Sequence, residues 1–472
     1  MKRLSLILML GLSGLSAIAR QSAYAEASRK IDSLFSAYNA HTPGAAVAVV
    51  KDGKLVFMKG YGMASLEHGI PITPQTVFNI ASVSKQFTAF AIYLLAEEGR
   101  ISLEDDVRKY ITELPAYAKP VKIKHLLAHT SGLRDQQALL CLAGERQGDI
   151  YTTEQVLQLV SRQQGLNFEP GAAFGYSNTN YTLLAEIIRR VSGKSFAAFT
   201  QERIFAPLGM KHTRFCDNHE EVVQNKAASY ELINGKYYHK PLNASNPGPS
   251  NLLTTVEDLV KWQLNFDRPV VGTPALLKEF NEAAYFDNGH KVVMRIFGEG
   301  DTLFHAKGQN LSLHNGLPMI THGGHTAAFR TFMGCFPEQR LAIIALSNDE
   351  HNERLNARWQ IADFYIKDKM KEAAAVPASR PSQTTSRTAN VQYGSPKNFE
   401  GEYYSEELGA TYSFVAREDV LVMRHWKLGN IALRRIAERT FTGSGAEVFA
   451  FELEFEQDGE KVTGFRVTNF GV

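Results

Sequence analysis

The sequence predicts an α+β unit followed by a small all-β domain, and three observations support this assignment. An apolar run over residues 44–50 and a second over 55–59 flank Asp52-Gly53, a dipeptide typical of an antiparallel hairpin. Helical patterns dominate the middle of the unit, and apolar runs at 329–336 and 341–347 predict two further strands. A hairpin at the start and strands at the end indicate one sheet that both ends of the unit complete.

The clearest helix follows Ser82. Apolar residues recur at the i, i+3, i+4, i+7 and i+8 spacing of one buried helical face, at Phe87, Phe90, Ala91, Leu94 and Leu95. Gly99 suits the C′ position that ends such a helix. Other helical patterns cover residues 27–40, 121–128, 153–163, 181–191, 255–266 and about 352–371.

Residues 1–25 have the pattern of a secretory signal peptide. Lys2-Arg3 supplies the positive start, residues 4–18 the apolar segment, and Ala23-Tyr24-Ala25 a cleavage site. No other stretch reaches transmembrane length without charge. We therefore expect a mature protein that is secreted across the inner membrane into a bacterial periplasm, with no stable membrane span after signal removal.

A linker separates the main unit, residues 26–372, from the C-terminal domain. Pro, Ser, Thr, Ala and Gln dominate residues 373–397, and no apolar period remains there. Residues 398–472 then show six short strand patterns with turn residues between them: 401–404, 411–417, 420–425, 431–436, 448–455 and 461–468. We expect a lipocalin-like all-β barrel or sandwich that contributes no catalytic residue.

Composition argues against several classes of function. The 472 residues carry a net charge of +2 and no long basic run, so we expect no nucleic-acid partner. Cys141, Cys216 and Cys335 allow one disulfide, whose pairing the sequence leaves open, and their spacing is not that of a zinc site. His125 and His129 are four residues apart, yet no Glu follows His125 as in a zinc protease. We expect no metal and no cofactor, with His125 on a helix surface and His129 as a hydrogen-bonding loop residue.

Ser82 and Lys85 form the first candidate for chemistry. Residues three apart share a helical face, so the lysine amine can lie beside the serine hydroxyl. The helix N-terminus adds free N–H groups and positive partial charge where an oxyanion would develop. These are the requirements of an activated serine nucleophile. The alternative is that Ser82 serves only as a helix N-cap.

Two further stretches add suitable groups. Near an ammonium, Tyr176 would have a lowered pKa and could move protons, and Asn178 could orient the lysine and a substrate carbonyl. In Thr321-His322-Gly323-Gly324-His325, the glycines would let a substrate approach the backbone, His322 would face the cleft, and the His325 N–H would point at a substrate oxygen. The alternatives are an ordinary turn and a sharp strand start with surface histidines.

In this order, the three motifs resemble those of the penicillin-recognising serine hydrolases. Ser82-x-x-Lys85, Tyr176-x-Asn178 and His322-Gly323-Gly324 correspond to the three sequence elements of that family, and the middle one is similar to the class C β-lactamase, DD-peptidase and esterase branch. The resemblance extends from about residue 44 to 349. It implies an antiparallel sheet flanked by helices plus an all-helical subdomain.

The resemblance also implies roles. Ser82 would be the acylated nucleophile, while Lys85 and Tyr176 would share the general base and acid roles in an order that stays open. Asn178 would position the lysine and the substrate. The oxyanion hole would consist of the N–H groups of Ser82 and His325.

The third motif departs from the family pattern. His322-Gly323-Gly324 stands where true class C β-lactamases have Lys-Thr-Gly, so a titratable imidazole with an ordinary pKa near 6.5 replaces a fixed charge. Together with His325, we expect this stretch to contact the substrate. The substitution argues against efficient β-lactam hydrolysis.

The sequence therefore predicts a serine hydrolase that forms an acyl-enzyme on Ser82. Its small-molecule or peptide substrate would be a small ester, a D-amino-acid peptide or amide, or a β-lactam, and we expect ester turnover to exceed β-lactam turnover. The alternative is a penicillin-binding sensor or binding protein that is acylated without turnover. No G-x-S-x-G elbow of an α/β-hydrolase occurs around any serine. The oligomeric state stays open.

Overall fold

A computed structural model describes residues 21–146, 148–294, 303–351, 355, 358–370, 393–445, 448–459 and 461–470. The helices are α1 (21–34), α2 (Lys85–Glu97), α3 (Ile123–Leu127), α4 (Gln136–Leu142), α5 (Thr153–Ser161), α6 (Asn178–Ser192), α7 (Phe196–Thr200), α8 (Val256–Asn265), α9 (Pro274–Phe280) and α10 (Arg358–Ile366). Short 3₁₀ turns cover Ala81–Ser84, Val107–Lys109, Lys367–Lys369 and Pro396–Phe399, and a π turn covers Gln201–Phe205.

Within the described residues, fifteen strands precede the C-terminal domain: β1 (Ala45–Lys51), β2 (Lys54–Tyr61), β3 (Met63–Ser65), β4 (Ile70–Pro71), β5 (Phe78–Asn79), β6 (Arg214–Phe215), β7 (Tyr230–Ile233), β8 (Lys236–His239), β9 (Leu252–Thr254), β10 (Val293–Met294), β11 (Leu303–His305), β12 (Asn310–His314), β13 (Leu317–Thr326), β14 (Phe329–Phe336) and β15 (Leu341–Ser347). Eight of them form the main antiparallel sheet, in the order β10-β11-β12-β13-β14-β15-β1-β2. The others form two hairpins, β3-β4 and β7-β8, and the small sheet β5-β9-β6.

Both ends of the unit complete the main sheet, which confirms the prediction from sequence. Strand β1 pairs with β15 from Ala45↔Ser347 to Lys51↔Leu341, and with β2 on its other side. Asp52 and Gly53 join β1 to β2 with φ angles of 55° and 71°, the left-handed values that a type I′ turn requires.

The two faces of the sheet bury different sets of helices. One face packs Ala46, Ala48 and Val50 against the core around α2 and α8, to which helices α3 to α7 also contribute. The opposite face packs Val47 and Val49 against α1 and α10. The sheet flanked by helices and the helical subdomain beside it are the predicted α+β architecture. No described helix is both long and apolar enough to cross a membrane.

Helix α2 is the central element of the larger core. Its end is a Schellman motif, because the N–H of Gly99 donates to Ala96 O and that of Arg100 donates to Leu95 O, both at 3.0 Å. Gly99 has φ of 69°, which confirms its predicted role. Near the start of the helix, the ring of Phe87 lies 4.6 Å from that of Trp262 on α8.

The C-terminal domain is a nearly closed antiparallel barrel of seven strands: β16 (Gly401–Ser405), β17 (Ala410–Arg417), β18 (Val420–His425), β19 (Gly429–Arg435), β20 (Thr440–Gly445), β21 (Val448–Asp458) and β22 (Lys461–Phe470). Aromatic side chains such as Phe414, Phe441 and Phe455 fill its interior. Strand β20 was not predicted because its polar and glycine residues lack an apolar alternation. A Cβ on Gly443 would meet Leu433 Cδ2 at 2.6 Å, so a larger residue there would require the Leu433 side chain to shift.

Other predictions are corrected. Helices α4, α7 and α9 and strands β3 to β13 were not predicted. The stretch around His322 lies inside the ten-residue strand β13 rather than at a strand start. His125 is buried rather than on a helix surface, and its Nε2 lies 3.1 Å from Asp287 Oδ1. Cys141, Cys216 and Cys335 form no disulfide with one another. Most of the predicted signal peptide (1–20 of 1–25) and most of the predicted linker (373–392 of 373–397) lie outside the described residues, so these assignments stay predictions.

Candidate active site

The turn that carries Ser82 is held in a strained conformation. Ala81 has φ of 48°, in the left-handed region that costs a residue with a Cβ about 1 kcal/mol. Asn79 Oδ1 accepts the Ala81 N–H at 2.9 Å, and Ile80 O accepts the Val83 N–H at 3.1 Å and the Thr331 hydroxyl at 2.9 Å. These hydrogen bonds fix the orientation of the half-buried Ser82 relative to strand β14.

Lys85 is fully buried and has three polar partners. Its Nζ lies 3.1 Å from Ser82 Oγ, 2.8 Å from Asn178 Oδ1 and 2.8 Å from Pro249 O. The Pro249 carbonyl comes from the segment 247–251, whose role the sequence did not indicate. Gly248 brings this segment close to α6: its φ is 118°, and a Cβ would meet Tyr181 O at 2.5 Å.

The surroundings of Lys85 suit a general base. Burial lowers the pKa of Lys85 to about 7, against the opposing charge of Asp135. The oxygens of Asn178 and Pro249 can only accept hydrogen bonds, so a neutral amine directs its two N–H groups at them. Its lone pair then faces the Ser82 hydroxyl.

Tyr176 contacts the same serine oxygen, with its hydroxyl 2.9 Å from Ser82 Oγ. The predicted lowering of its pKa is wrong, because burial raises the pKa of the phenol despite the hydrogen bond to Ser82. Lys85 Nζ lies 4.8 Å from the centre of the Tyr176 ring. At neutral pH the phenol is therefore protonated, and the lysine is the group that titrates.

His129 packs against the ring of Tyr176, which agrees with the structural role predicted for this histidine. The two rings lie 4.4 Å apart. His129 Nδ1 accepts the N–H of Ser177 at 3.2 Å, and its carbonyl oxygen accepts the N–H of Gly175 at 2.9 Å. The loop around residue 129 thus fixes the loop that carries Tyr176.

His322 lies on strand β13 and is buried beside Lys85. Its Nδ1 donates to Gly323 O at 2.6 Å. Burial, together with the charge of Lys85, lowers the pKa of His322 to about 3, so the titration near pH 6.5 expected from sequence is wrong. His322 is therefore neutral at pH 7 and does not replace the fixed cation of a Lys-Thr-Gly motif.

The two glycines after His322 have different surroundings. A Cβ on Gly324 would meet Thr331 Oγ1 at 2.2 Å and Ile80 O at 2.4 Å, so only glycine lets β13 lie against the Ser82 turn. Gly323 is on the opposite face, where a Cβ would meet Thr331 O at 3.8 Å. His325 has an exposed side chain with Nε2 3.7 Å from Glu350 Oε1.

The edge of β13 next to Ser82 is open. Strand β12 pairs with β13 only as far as Thr321, so within the described ranges the outer backbone edge of residues 322–326 has no strand partner. The use of the Ser82 and His325 N–H groups as an oxyanion hole stays a prediction.

Sequence reasoning missed Asp135, a buried carboxylate that contacts Asn178. Asp135 precedes the apolar pattern of α4, a typical N-cap position, but its pairing with Asn178 has no linear signature. Among the described residues, no cluster of three or more His, Cys, Asp or Glu side chains is arranged to hold a metal ion.

The fold and the Ser–Lys–Tyr arrangement define a protein of the penicillin-binding-protein type. The chain belongs to the beta-lactamase family, because the family profile described as "Beta-lactamase" matches residues 31–366. This confirms the resemblance found in the sequence.

Among the curated relatives, the chain is 31% identical over 320 residues to Protein flp of Staphylococcus aureus strain MRSA252. The aligned segment covers 65% of this chain and 60% of that protein. It is 30% identical over 317 residues to a D-aminopeptidase of Brucella anthropi, covering 65% of this chain and 56% of that enzyme. The chain thus spans about 60% of the length of these relatives. Among solved structures, the octameric penicillin-binding protein homologue from Pyrococcus abyssi shares the fold at 24% identity and a TM-score of 0.64, over 92% of this chain and 96% of that one.

Proposed function

We propose that the protein is a serine hydrolase that works through an acyl-enzyme on Ser82. The observation that carries this proposal is that Lys85 Nζ and Tyr176 OH both contact Ser82 Oγ, at 3.1 and 2.9 Å. A buried amine with a pKa of about 7 and a protonated phenol on one serine oxygen supply the base and the acid of acyl transfer.

The proposed order of proton transfers follows from these two groups. Lys85 takes the Ser82 proton as Oγ bonds to the substrate carbonyl carbon. When the tetrahedral intermediate collapses, Tyr176 gives its proton to the leaving group, and the Lys85 ammonium gives its proton to the phenolate, which restores the neutral amine and the phenol. Water then attacks the Ser82 ester under the same base, which releases the acid and frees Oγ.

For the substrate, we propose a small ester or a D-amino-acid amide or peptide rather than a β-lactam. His322 supports this choice, because its neutral imidazole offers no fixed cation for a β-lactam carboxylate. The D-aminopeptidase relative supports a D-amino-acid substrate.

Steady-state kcat/KM values on p-nitrophenyl acetate, D-alanine p-nitroanilide and nitrocefin test the substrate choice. We expect the value for the ester to exceed that for nitrocefin, and His322→Lys to raise nitrocefin turnover relative to ester turnover. A larger kcat/KM for nitrocefin in the wild-type protein would refute the proposed substrate class. Stable acylation without turnover on all three compounds would instead identify a penicillin-binding sensor.

A further inference from the structure

Asp135 is a buried carboxylate outside the three motifs, and it lies directly behind Asn178. Its Oδ2 accepts the backbone N–H of Asn178 at 2.5 Å and the side-chain Nδ2 at 3.0 Å. Its Oδ1 accepts the N–H groups of Gln137 at 2.8 Å and Ala138 at 3.3 Å. One carboxylate therefore joins the first turn of α4 to the first turn of α6.

This contact decides which way the Asn178 amide faces. A carboxylate oxygen can only accept hydrogen bonds, so the NH₂ end of the amide must face Asp135. The carbonyl end then faces Lys85, where Oδ1 lies 2.8 Å from Nζ. If the amide were flipped, its NH₂ group would face Nζ, and the amine could no longer direct an N–H at it.

The surroundings of Asp135 act on its protonation in opposite directions. Burial is the largest influence and raises the pKa of the carboxyl. Four N–H groups from Asn178, Gln137 and Ala138 donate to it, and these hydrogen bonds, together with the charge of Lys85, favour the ionised form. In turn, the negative charge of Asp135 raises the pKa of Lys85 against the larger effect of burial.

We propose that Asp135 is a positioning residue of the acyl-transfer site, which fixes the Asn178 amide toward Lys85 and tunes the protonation of that lysine. The inference rests on the proposed function, because it assigns Lys85 as the base for Ser82. Asp135 does not touch the reacting atoms and acts only through Asn178 and through its charge.

The pH behaviour of this site depends on several groups from different elements. The titratable side chains that interact electrostatically with Lys85 or Asp135, or contact Lys85, are Tyr151, Tyr176, Tyr181, His129, His305 and His322. Burial lowers the pKa of His305 to about 4 and that of His322 to about 3, and the pKa values of the tyrosines are raised. Among these side chains and Lys85, the lysine is the one whose pKa, about 7, lies near neutral pH.

The test measures the rate at which a fluorophosphonate probe labels Ser82 as a function of pH, because this rate reports the nucleophile without requiring a substrate. For Asp135→Asn we expect labelling on the high-pH plateau to slow by about tenfold to a hundredfold, since the amide loses its fixed orientation. We expect the acid-side midpoint to fall by about one pH unit, because loss of the negative charge removes an attraction that stabilises the Lys85 ammonium. A purely structural role would not move that midpoint.

Asp258→Asn is the matched control. Asp258 is also buried, accepts the His212 N–H at 2.7 Å and pairs with Lys261 at 2.7 Å, in the first turn of α8. We expect this variant to lose thermal stability while its labelling midpoint stays at the wild-type pH.

The labelling results distinguish the role of Ser82 as nucleophile from the role of Asp135 as a positioning residue. A folded wild-type protein that the probe does not label would overturn the proposed nucleophile, and this inference with it. A labelled wild type with an unchanged midpoint and rate in Asp135→Asn would overturn this inference alone. If Asp135→Asn fails to fold, Asp135→Glu keeps the charge but displaces its oxygens, so it must slow labelling without moving the midpoint; an unchanged rate there would equally overturn the inference.

Discussion

The Ser82 site and the C-terminal barrel use burial in opposite ways. Around Ser82 the fold buries ionisable groups. Lys85 and Asp135 both lie in the interior and both hydrogen-bond to Asn178, and burial lowers the pKa of Lys85 to about 7. The barrel interior buries aromatic rings such as Phe414 and Phe455, and the glutamates of β21 stay outside the core. The comparison teaches that a shifted lysine pKa arises where ionisable groups are buried together and share hydrogen bonds, a combination typical of functional sites.

The two regions meet at several places, among them the end of α4, residues 145–149 and the stretch around Arg134. The carboxylate of Glu407, in the β16–β17 turn, accepts from Arg134 at 2.6 Å and from the Gln164 N–H at 2.8 Å. Arg134 O in turn accepts the Thr179 hydroxyl at 2.7 Å, on the first turn of α6. The barrel therefore contacts Arg134, the residue that precedes Asp135 in the sequence.

The sharpest way to test the comparison is to remove the nucleophile. Ser82→Ala should lower kcat/KM by about 10⁴-fold or more, because no acyl-enzyme can form, with little change in stability. Intact-mass spectrometry after probe treatment should show no adduct. Ser84→Ala is the control: Ser84 Oγ accepts the Leu252 N–H at 3.1 Å, so its loss should cost about 1 kcal/mol of stability while labelling persists. Labelling of Ser82→Ala at the wild-type rate would place the nucleophile elsewhere.

The next largest effect concerns the buried lysine. In the wild type, kcat/KM should rise with pH through a midpoint of about 7 and level off above it, since only the neutral Lys85 amine can accept the serine proton. Lys85→Met should lower kcat/KM by about 10³-fold and abolish that acid limb. The measurement is a pH–rate profile with p-nitrophenyl acetate. An acid limb that persists in Lys85→Met would assign it to another group.

The smallest effect is expected at the barrel contact. Glu407→Ala should lower kcat/KM by only about threefold. The ion pair between Glu407 and Arg134 is half-exposed, and Arg134 affects the site only indirectly, through its contact with Thr179. The melting temperature and the steady-state rates should both be measured. Glu456→Ala, which removes an exposed ion pair with Arg466 on the barrel itself, is the control that should change neither. A hundredfold loss of kcat/KM in Glu407→Ala would mean that the barrel takes part in forming the Ser82 site.

Local patterns explain which features could be predicted from the sequence. The α2 helix, the β1–β2 hairpin and strands β14 and β15 follow from apolar spacing and turn residues that lie within a few positions of one another. The positions of Ser82, Lys85, Tyr176 and Asn178 follow from motif spacing, and the structure brings all four together.

The remaining features depend on contacts between distant segments. Asp135 meets Asn178 across 43 residues and Pro249 meets Lys85 across 164, and nothing in the linear pattern links either pair. The same holds for protonation states: the pKa values of Tyr176 and His322 depend on how deeply the fold buries them, which residue type does not reveal.

The closure of the main sheet has a consequence for the order in which the protein is synthesised and folds. Gly44 N donates to Asn348 Oδ1 at 2.7 Å across 304 residues of chain, next to the β1–β15 pairing. Strands β13 and β14, which contact the Ser82 turn, are likewise among the last parts of the main unit to leave the ribosome. Such distant pairings form slowly. The nascent chain therefore carries its serine long before the surrounding cleft exists, and it can gain reactivity only when the whole domain has folded.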